Sequence, residues 1–340
     1  MRIAVLSGGR SSEHDVSRAS AASVAAALGT AGHEVIPVLI GRDGAWTLDA
    51  DPVALVPGSG GRARIIPING GPGHDIDVVF PVLHGPWGED GTVQGLCETA
   101  GVPYVGADVA ASATGMDKAL FHVLATAAGI PRVETVVVRH AEWLADPAAV
   151  RVNVATTTGF PAFAKPARLG SSFGISPVPG EADLAAALDL AFRHDDKALV
   201  ERRAVGREVE VGLLGHDDPE ASPVGEIHHE ADWYDHEAKY APGGMRLQVP
   251  ANISPQVAER ARSLAVDAWN AIGCSGMARV DFFLEGDNLF VSEINTIPGF
   301  TPTSVYARLF EAAGISYVDL VERLVGIAVK RHEARSAYQG

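Results

Sequence analysis

Residues 278–300 read ARVDFFLEGDNLFVSEINTIPGF. Two apolar runs flank the turn-forming cluster EGDN at 285–288, so this stretch is predicted to fold as a β-hairpin. Side chains alternate between the two faces of a strand, and a hairpin folded about residue 287 sets Asp281 nearly opposite Glu293. The side chains predicted to converge are Arg279, Asp281, Glu293 and Asn295.

Three of these side chains offer oxygen atoms to a cation. Asp, Glu and Asn oxygens suit a hard cation such as Mg²⁺, which takes part of its shell from substrate phosphates. A solvated hairpin face is the alternative, because surface acid pairs are frequent. Phe282 and Phe290 flank the acids and favour a buried sheet, where an unpaired charge would be costly. The pattern therefore favours a metal site at Asp281, Glu293 and Asn295.

A second polar segment, KPARLGSSFG at 165–174, follows a predicted strand. Its spacing fits neither a Walker A loop nor a GxGxxG fingerprint. Its backbone N–H groups and hydroxyls can still face phosphate oxygens, while Lys165 supplies a positive charge. A plain surface turn remains the alternative, because glycine and serine are the usual turn residues.

Two more glycine-rich segments follow strand ends, where open α/β sheets place their ligand crevice. They are SGGRSSEH at 7–14 and HGPWGEDG at 84–91. The alternative for each is a tight turn that caps the next helix through Ser12 or Asp90.

The pattern of elements predicts an α/β and α+β chain. A strand at 2–6, a helix at 16–28 and a strand at 34–40 form the α/β signature. The last third carries a polar loop at 228–245 and a helix at 255–272. The predicted domains are 1–106, an α/β domain; 107–200, a small α+β domain; and 201–340, which holds the hairpin.

Composition excludes several classes of protein. The 27 Lys and Arg residues against 42 Asp and Glu give a net charge of −15, which argues against nucleic-acid binding. No uncharged stretch reaches the ~18 residues of a membrane helix, and the N-terminus reads as a strand and turn rather than a signal peptide. Cys97 and Cys274 make no disulfide framework. These features predict a cytoplasmic protein without a membrane or nucleic-acid partner.

Seven segments, taken in order, resemble the D-alanine:D-alanine ligases of the ATP-grasp superfamily. They are SGGRSSEHDVS (7–17), HGPWGEDG (84–91), MDK (116–118), KPARLGSSFG (165–174), YDHEAKY (234–240), ARVDFF (278–283) and EINTIPGFT (293–301). The resemblance implies three domains: an N-terminal open parallel α/β domain and two ATP-grasp subdomains with ATP between them. It also implies a homodimer.

The same resemblance implies roles for individual residues. At ATP it places Lys118 and Lys165 on the phosphates, Glu201 on the adenine amino group, Glu208 on the ribose, and Lys239 on the phosphates from a mobile lid. The ligands of two Mg²⁺ ions, for which Mn²⁺ is a possible substitute, become Asp281, Glu293 and Asn295. At the two D-alanines it places Glu13, Ser171 and Tyr240 at the first ammonium, His84 nearby, Arg279 and the Gly299 N–H over the reacting carboxyl oxygens, and Ser304 with Val305 at the second carboxylate.

The implied activity is ATP-dependent ligation of two D-alanines through D-alanyl phosphate, for peptidoglycan precursor synthesis. The chain departs from the family pattern at His236, where a second tyrosine is usual, and at Ala307-Arg308, which replaces a proline-containing segment. These departures bear on the second substrate, unless they are neutral surface changes. The alternatives are a relative that uses D-lactate or D-serine, an inert binding protein on the same fold, and a dinucleotide oxidoreductase. The missing GxGxxG argues against the last of these.

Overall fold

The computed structural model describes residues 1–58, 62–170, 173–229 and 245–338. Three sheets organise these residues. None of the helices within these ranges is long and apolar enough to span a bilayer.

The first sheet has seven strands in the order β6-β5-β4-β3-β2-β1-β7. They are β1 (Arg2–Gly8), β2 (Glu34–Ile40), β3 (Trp46–Leu48), β4 (Asp51–Pro57), β5 (Ala63–Pro67), β6 (His74–Ile76) and β7 (Val78–Pro81). Pairing is parallel only where β1 meets β2 and β7, and the remaining pairs are antiparallel. The expected open parallel sheet is therefore a mixed sheet, because residues 46–76 form short hairpins.

The helices of the first half pack on all three sheets. They are α1 (His14–Thr30), α2 (Thr92–Ala100), α3 (Val109–Met116), α4 (Lys118–Ala127), α5 (His140–Ala145) and α6 (Pro147–Thr157). Asp117 caps α4, since its side chain accepts hydrogen bonds from the N–H groups of Ala119 and Leu120. That cap places Lys118 at the first position of α4.

The second sheet is antiparallel, in the order β10-β9-β11-β8. Its elements are β8 (Thr135–Arg139), β9 (Ala162–Pro166), β10 (Ser176–Val178), β11 (Lys197–Arg202) and α7 (Leu184–Ala191), which follows a 3₁₀ turn at Glu181–Asp183. Buried residues of α7 such as Leu184 and Leu188 pack on this sheet.

The third sheet carries the predicted hairpin. Its strands are β12 (Arg207–Gly215), β13 (Glu220–Ala221), β14 (Gly225–His229), β15 (Met245–Gln248), β16 (Gly276–Glu285) and β17 (Asn288–Asn295), in the order β15-β14-β12-β16-β17 with β13 beside β12. The helices that follow the described part of β14 are α8 (Pro255–Ile272), α9 (Val305–Ala312) and α10 (Tyr317–Ser336). The helix predicted at 255–272 is thus confirmed.

The end of the chain packs against its beginning. Leu320 and Leu324 of α10 share one core with Ile3 of β1, Val24 of α1 and Phe80 of β7. This packing holds the loop after β17 beside the loop after β7. The two loops form part of the site described next.

Candidate active site

The hairpin of β16 and β17 pairs as predicted. Arg279 lies opposite Asn295, and Asp281 lies opposite Glu293. The turn begins with Glu285 opposite Asn288, a register that would bring Ser292 opposite Asp281. A β-bulge at Ser292 shifts the register by one residue and moves Glu293 into that place. The bulge therefore brings both carboxylates to one face of the sheet.

Residues just before β8 form hydrogen bonds with the backbone of the bulge. The Val291 N–H donates to the carbonyl oxygen of Pro131 at 2.8 Å. The guanidinium of Arg132 donates through Nη2 to the carbonyl oxygen of Ser292 at 3.3 Å. The segment before β8 thus stabilises the irregular part of the hairpin.

Arg279 is held by two carboxylates. It forks onto Asp281, with both N–O distances 2.7 Å, and its Nε lies 3.0 Å from Oε2 of Glu210. Burial lowers the pKa of Arg279, but Asp281, Glu210 and Glu293 outweigh it and raise that pKa well above its ordinary value. Asn295 donates through Nδ2 to Asp281 at 3.0 Å. The face therefore carries a permanent cation beside the acids.

Lys118 joins the helix α4 to this face. Its Nζ lies 3.1 Å from Oε2 of Glu293 and donates to the carbonyl oxygen of Leu169 at 2.8 Å. Leu169 belongs to the glycine-rich segment that begins at Lys165. The structure therefore brings that segment, the start of α4 and the hairpin to one place.

Lys165 and Glu201 form a buried ion pair. Lys165 lies opposite Leu199 in the sheet, so its side chain shares a face with Glu201. The Nζ of Lys165 is 2.6 Å from Oε2 of Glu201. Both side chains are buried. The two residues predicted to bind ATP on this strand pair thus meet directly.

Glu208 lies on the same side of the third sheet as Asp281. It lies on β12 opposite Phe283, two residues before Glu210, and its side chain is exposed. Because residues two apart share a face of a strand, Glu208 and Glu210 point the same way.

Glu13 lies where three segments approach each other. A Cβ added at Gly85 would come within 2.8 Å of its Oε2, and one added at Gly170 within 3.3 Å. Glycine is therefore the residue that leaves room for this carboxylate on both sides. The ends of β1, β7 and β9 meet around Glu13.

His84 links the first sheet to the loop after β17. Its Nδ1 is 3.0 Å from the carbonyl oxygen of Ile297, and its Nε2 is 3.4 Å from the hydroxyl of Ser20. Burial lowers the pKa of His84, although Glu13 and the Ile297 carbonyl partly oppose this. Since the ordinary value is 6.5, the ring is neutral at neutral pH.

Glu89 holds the same loop from its other side. Its Oε1 accepts the Ile297 N–H at 3.1 Å, and its Oε2 accepts the Gly85 N–H at 2.6 Å. Burial raises the pKa of Glu89 to about 8, with Glu13 and Glu293 adding to the shift. Both backbone polar groups of Ile297 are thus bound by side chains of the HGPWGEDG segment.

Gly299 and Ser304 belong to the same loop as Ile297, between β17 and α9. The Ser304 hydroxyl does not cap α9 but accepts the Thr301 N–H at 3.0 Å. A Cβ on Gly299 would lie 3.4 Å from that hydroxyl. Val305 starts α9, and its side chain is buried against Ile227 and Leu309.

Three predicted site residues lie outside the described residues: Ser171, Lys239 and Tyr240. His236 and most of the predicted lid at 228–245 lie outside them as well. Residues 228–229 and 245 belong to β14 and β15, which are paired strands, so the ends of that span are not loop. Ala307 is not at the surface, since it is buried in the core shared with α10, whereas Arg308 is exposed.

Three charged residues of the site were not predicted. Glu210 could have been found from strand alternation, because it is two residues from Glu208. Glu89 belongs to the HGPWGEDG segment, but the segment itself gave no sign that this acid reaches Ile297. Arg132 carries no sequence signal, since its contacts depend on the bulge in β17.

The hairpin's donor set fits a hard cation. Within the described ranges, no group of three or more His, Cys, Asp and Glu side chains could hold a metal ion. The hairpin instead offers two carboxylates and the Asn295 amide. Mg²⁺ is bound in this way when phosphates and water complete its shell. Asp281, Glu293 and Asn295 would hold such an ion together with a phosphorylated substrate.

Two sequence models of one enzyme family match the chain. The model of the "D-ala D-ala ligase N-terminus" matches residues 2–107, and that of the "D-ala D-ala ligase C-terminus" matches residues 124–326. A D-alanine–D-alanine ligase from Deinococcus radiodurans is 47% identical over 337 residues, which cover 97% of this chain and 98% of the relative. One from Geobacillus kaustophilus is 39% identical, over 98% and 96% of the two chains.

Solved structures agree with the sequence matches. A VanG D-Ala:D-Ser ligase from Enterococcus faecalis superposes with a TM-score of 0.86 at 34% identity, covering 96% of this chain and 99% of the other. A D-alanine-D-alanine ligase from Coxiella burnetii superposes with a TM-score of 0.86 at 32% identity, covering 99% and 98%. The similarity therefore extends over nearly the whole chain.

Proposed function

The chain belongs to the D-alanine–D-alanine ligase family and has its ATP-grasp fold, and we propose that it joins two D-alanines into D-alanyl-D-alanine. The reaction consumes ATP, passes through D-alanyl phosphate and supplies the dipeptide for peptidoglycan. One observation carries this proposal. Lys118 lies 3.1 Å from Glu293. Glu293 in turn lies opposite Asp281 on the hairpin, and Asp281 is paired with Arg279.

This cluster suits phosphoryl transfer. Catalysis of that reaction consists mainly of positioning and of charge neutralisation at the transferring group. Lys118 and Lys165 provide cations for phosphate oxygens. A divalent cation held by Asp281, Glu293 and Asn295 would neutralise further charge when bound. Glu201 and Glu208 are proposed to bind the adenine amino group and the ribose.

The amino-acid substrates are proposed to bind around Glu13. A carboxylate is a poor electrophile, and phosphorylation turns one carboxylate oxygen into part of a leaving group. Glu13, close to Gly85 and Gly170, would bind the ammonium of the first D-alanine, with Ser171 and Tyr240 in the same network and neutral His84 nearby. Its charge complements that ammonium.

The amine of the second D-alanine then attacks the acyl carbon; the C–N bond forms, the amine loses a proton, and the C–O bond to the phosphate breaks with release of inorganic phosphate. Arg279, held as a cation by Asp281 and Glu210, would stabilise the oxyanion that forms, together with the Gly299 N–H. Ser304 and the backbone of Val305 at the start of α9 would bind the second carboxylate. Lys239 is proposed to reach the phosphates from the 228–245 segment, acting as a lid that excludes water from the acyl phosphate.

Two Mg²⁺ ions, replaceable by Mn²⁺, are proposed at the hairpin. A division at 1–106, 107–200 and 201–340 is supported by the three sheets, although β11 continues past residue 200 to Arg202. A homodimer and a cytoplasmic location without nucleic-acid or membrane partners are also proposed.

The test is a product assay with the purified full chain. ATP, MgCl₂ and D-alanine are supplied, phosphate release is followed, and products are identified by mass spectrometry. We expect D-alanyl-D-alanine and one phosphate per dipeptide, with neither formed when D-alanine or ATP is omitted. Phosphate release without dipeptide would contradict the proposal.

A second candidate is ligation of D-alanine to D-serine, because the VanG D-Ala:D-Ser ligase superposes as well as the D-alanine ligase does. Equal concentrations of D-alanine and D-serine in one reaction distinguish the two. D-alanyl-D-alanine as the main product supports the first proposal, and D-alanyl-D-serine supports the second.

A further inference from the structure

Arg132 is a buried cation at the junction of the second and third sheets. Its side chain is only 3% exposed. The guanidinium lies 5.1 Å from the ring centre of Phe121 in α4 and donates to the Ser292 carbonyl at the bulge. Its Nη2 is also 3.8 Å from Oε1 of Glu201, which is an ion pair without a hydrogen bond.

This corner of the site is incompletely hydrogen-bonded. Within the part of the chain that the structure describes, Nε and Nη1 of Arg132 and Oε1 of Glu201 are buried without a hydrogen-bond partner. A buried charge left in this condition is costly. These unpaired polar atoms are explained if Arg132 and Glu201 have a second arrangement in which they form hydrogen bonds.

Glu201 lies between two cations. Lys165 binds its Oε2 at 2.6 Å, and Arg132 faces its Oε1 at 3.8 Å. His122, a further basic side chain near this group, does not take the place of either cation. Its pKa is lowered by burial, Arg132 and Lys165, which outweigh the opposing effect of Glu201.

Nucleotide binding would change this balance. In the proposed function Lys165 binds ATP phosphates, so its ammonium is shared with or drawn away from Glu201. Glu201 would then become a buried carboxylate without a full counter-charge, unless a second cation closes on it. Nε and Nη1 of Arg132 have no hydrogen-bond acceptor among the described residues. The distance from its Nη2 to Oε1 of Glu201 is 3.8 Å, against 2.6 Å from Nζ of Lys165 to Oε2 of the same carboxylate, so a movement of about 1 Å would bring Arg132 as close as Lys165 is now.

We propose that Arg132 is a positioning residue of the nucleotide site, which closes on Glu201 when Lys165 binds phosphate and so keeps the carboxylate aimed at the adenine amino group. This inference rests on the proposed function. Arg132 acts through Glu201 and does not itself touch the nucleotide. Its contact with the Ser292 carbonyl anchors the guanidinium during the change.

The test compares nucleotides that differ at the amino group. Initial rates of the full chain are measured with ATP and with inosine triphosphate, which carries a carbonyl oxygen in place of that group. For Arg132→Met we expect KM for ATP to rise at least about tenfold while KM for D-alanine stays unchanged. The preference for ATP over inosine triphosphate should fall by a similar factor. Arg132→Lys, which keeps the charge, should retain most of the preference.

Arg202→Met is the matched control. Arg202 follows Glu201 on β11, is paired with Glu134 and Glu285, and lies 5.6 Å from the ring centre of Phe290. Its loss removes comparable ion pairs outside the site, so KM for ATP and nucleotide preference should not change. A double-mutant cycle with Glu201→Gln completes the test. In that background Arg132→Met should raise KM for ATP by less than about twofold.

Several results would overturn the inference. An unchanged nucleotide preference in Arg132→Met, or an undiminished effect in the Glu201→Gln background, would show that Arg132 does not act through Glu201. If Arg132→Met does not fold, Arg132→Lys decides, because a lost preference despite the retained charge contradicts the proposal. A wild-type chain that makes no dipeptide overturns the proposed function instead, and ATP and inosine triphosphate affinities measured by calorimetry then test Arg132 separately.

Discussion

Glu89 provides the most quantitative prediction, because its replacement by Gln should change how stability depends on pH. Burial, Glu13 and Glu293 raise its pKa from 4.5 to about 8 in the folded chain. The folded state therefore keeps a proton that the unfolded state releases between those two pH values. Since the unfolded state binds fewer protons in this window, stability falls as pH rises from about 4.5 to 8.

The size of the effect follows from the two pKa values. Each pKa unit corresponds to about 1.36 kcal/mol. The Glu89 proton therefore contributes at most about 5 kcal/mol to the free energy of unfolding, and this contribution is lost above pH 8. Between pH 5 and pH 7 the ratio of the two binding polynomials gives a loss of about 2.5 kcal/mol. In the Glu89→Gln variant the side chain is an amide, which does not titrate between pH 5 and pH 7. Its free energy of unfolding relative to wild type should therefore rise by about 2.5 kcal/mol over that interval.

The assay is urea unfolding of both chains at pH 5, 6 and 7, without nucleotide or metal, followed by tryptophan fluorescence and circular dichroism. Coincident transitions establish whether two-state analysis applies. Glu259→Gln, the same change at an exposed position of α8, is the control and should run parallel to wild type. If the free energies of unfolding of Glu89→Gln and wild type differed by the same amount at pH 5, 6 and 7, the argument that Glu89 is held protonated would be refuted.

Three further predictions concern catalysis. Glu293→Gln should abolish most turnover with little change in Tm, as read by steady-state rates over a MgCl₂ titration and by calorimetry; full activity would remove the hairpin metal site. Arg279→Met should lower kcat by roughly 10² to 10³, the usual loss for one oxyanion donor, and should also destabilise the fold because Asp281 and Glu210 lose their counter-charge; stopped-flow rates and urea unfolding separate the two effects. Tyr240→Phe should alter the choice between amine and hydroxyl acceptors, measured as the ratio of products from D-alanine and D-lactate across pH, and an unchanged ratio would exclude Tyr240 from acceptor choice.

Local sequence determined a large part of this protein. The helix at 255–272 could be predicted from its own residues, because Ser254 accepts the Val257 N–H, Pro255 opens the first turn and Gly273 ends it with a φ of +65°. The hairpin was equally local, since apolar runs on either side of EGDN have few other ways to pair. The family resemblance likewise depends on short segments that can be read without a structure.

Tertiary structure decided which side chains the site contains. The turn alone sets a register in which Asp281 would face Ser292, and the bulge that brings Glu293 opposite Asp281 is held by Pro131 and Arg132. The burial that raises the pKa of Glu89 comes from loops brought together by the packing of α10 on the first sheet. Register shifts, burial and ion pairs depend on residues distant in the chain, whereas capping and strand alternation depend on neighbours. For this reason the sequence predicted the residues proposed to bind metal and substrate, and only the fold revealed the side chains that position them.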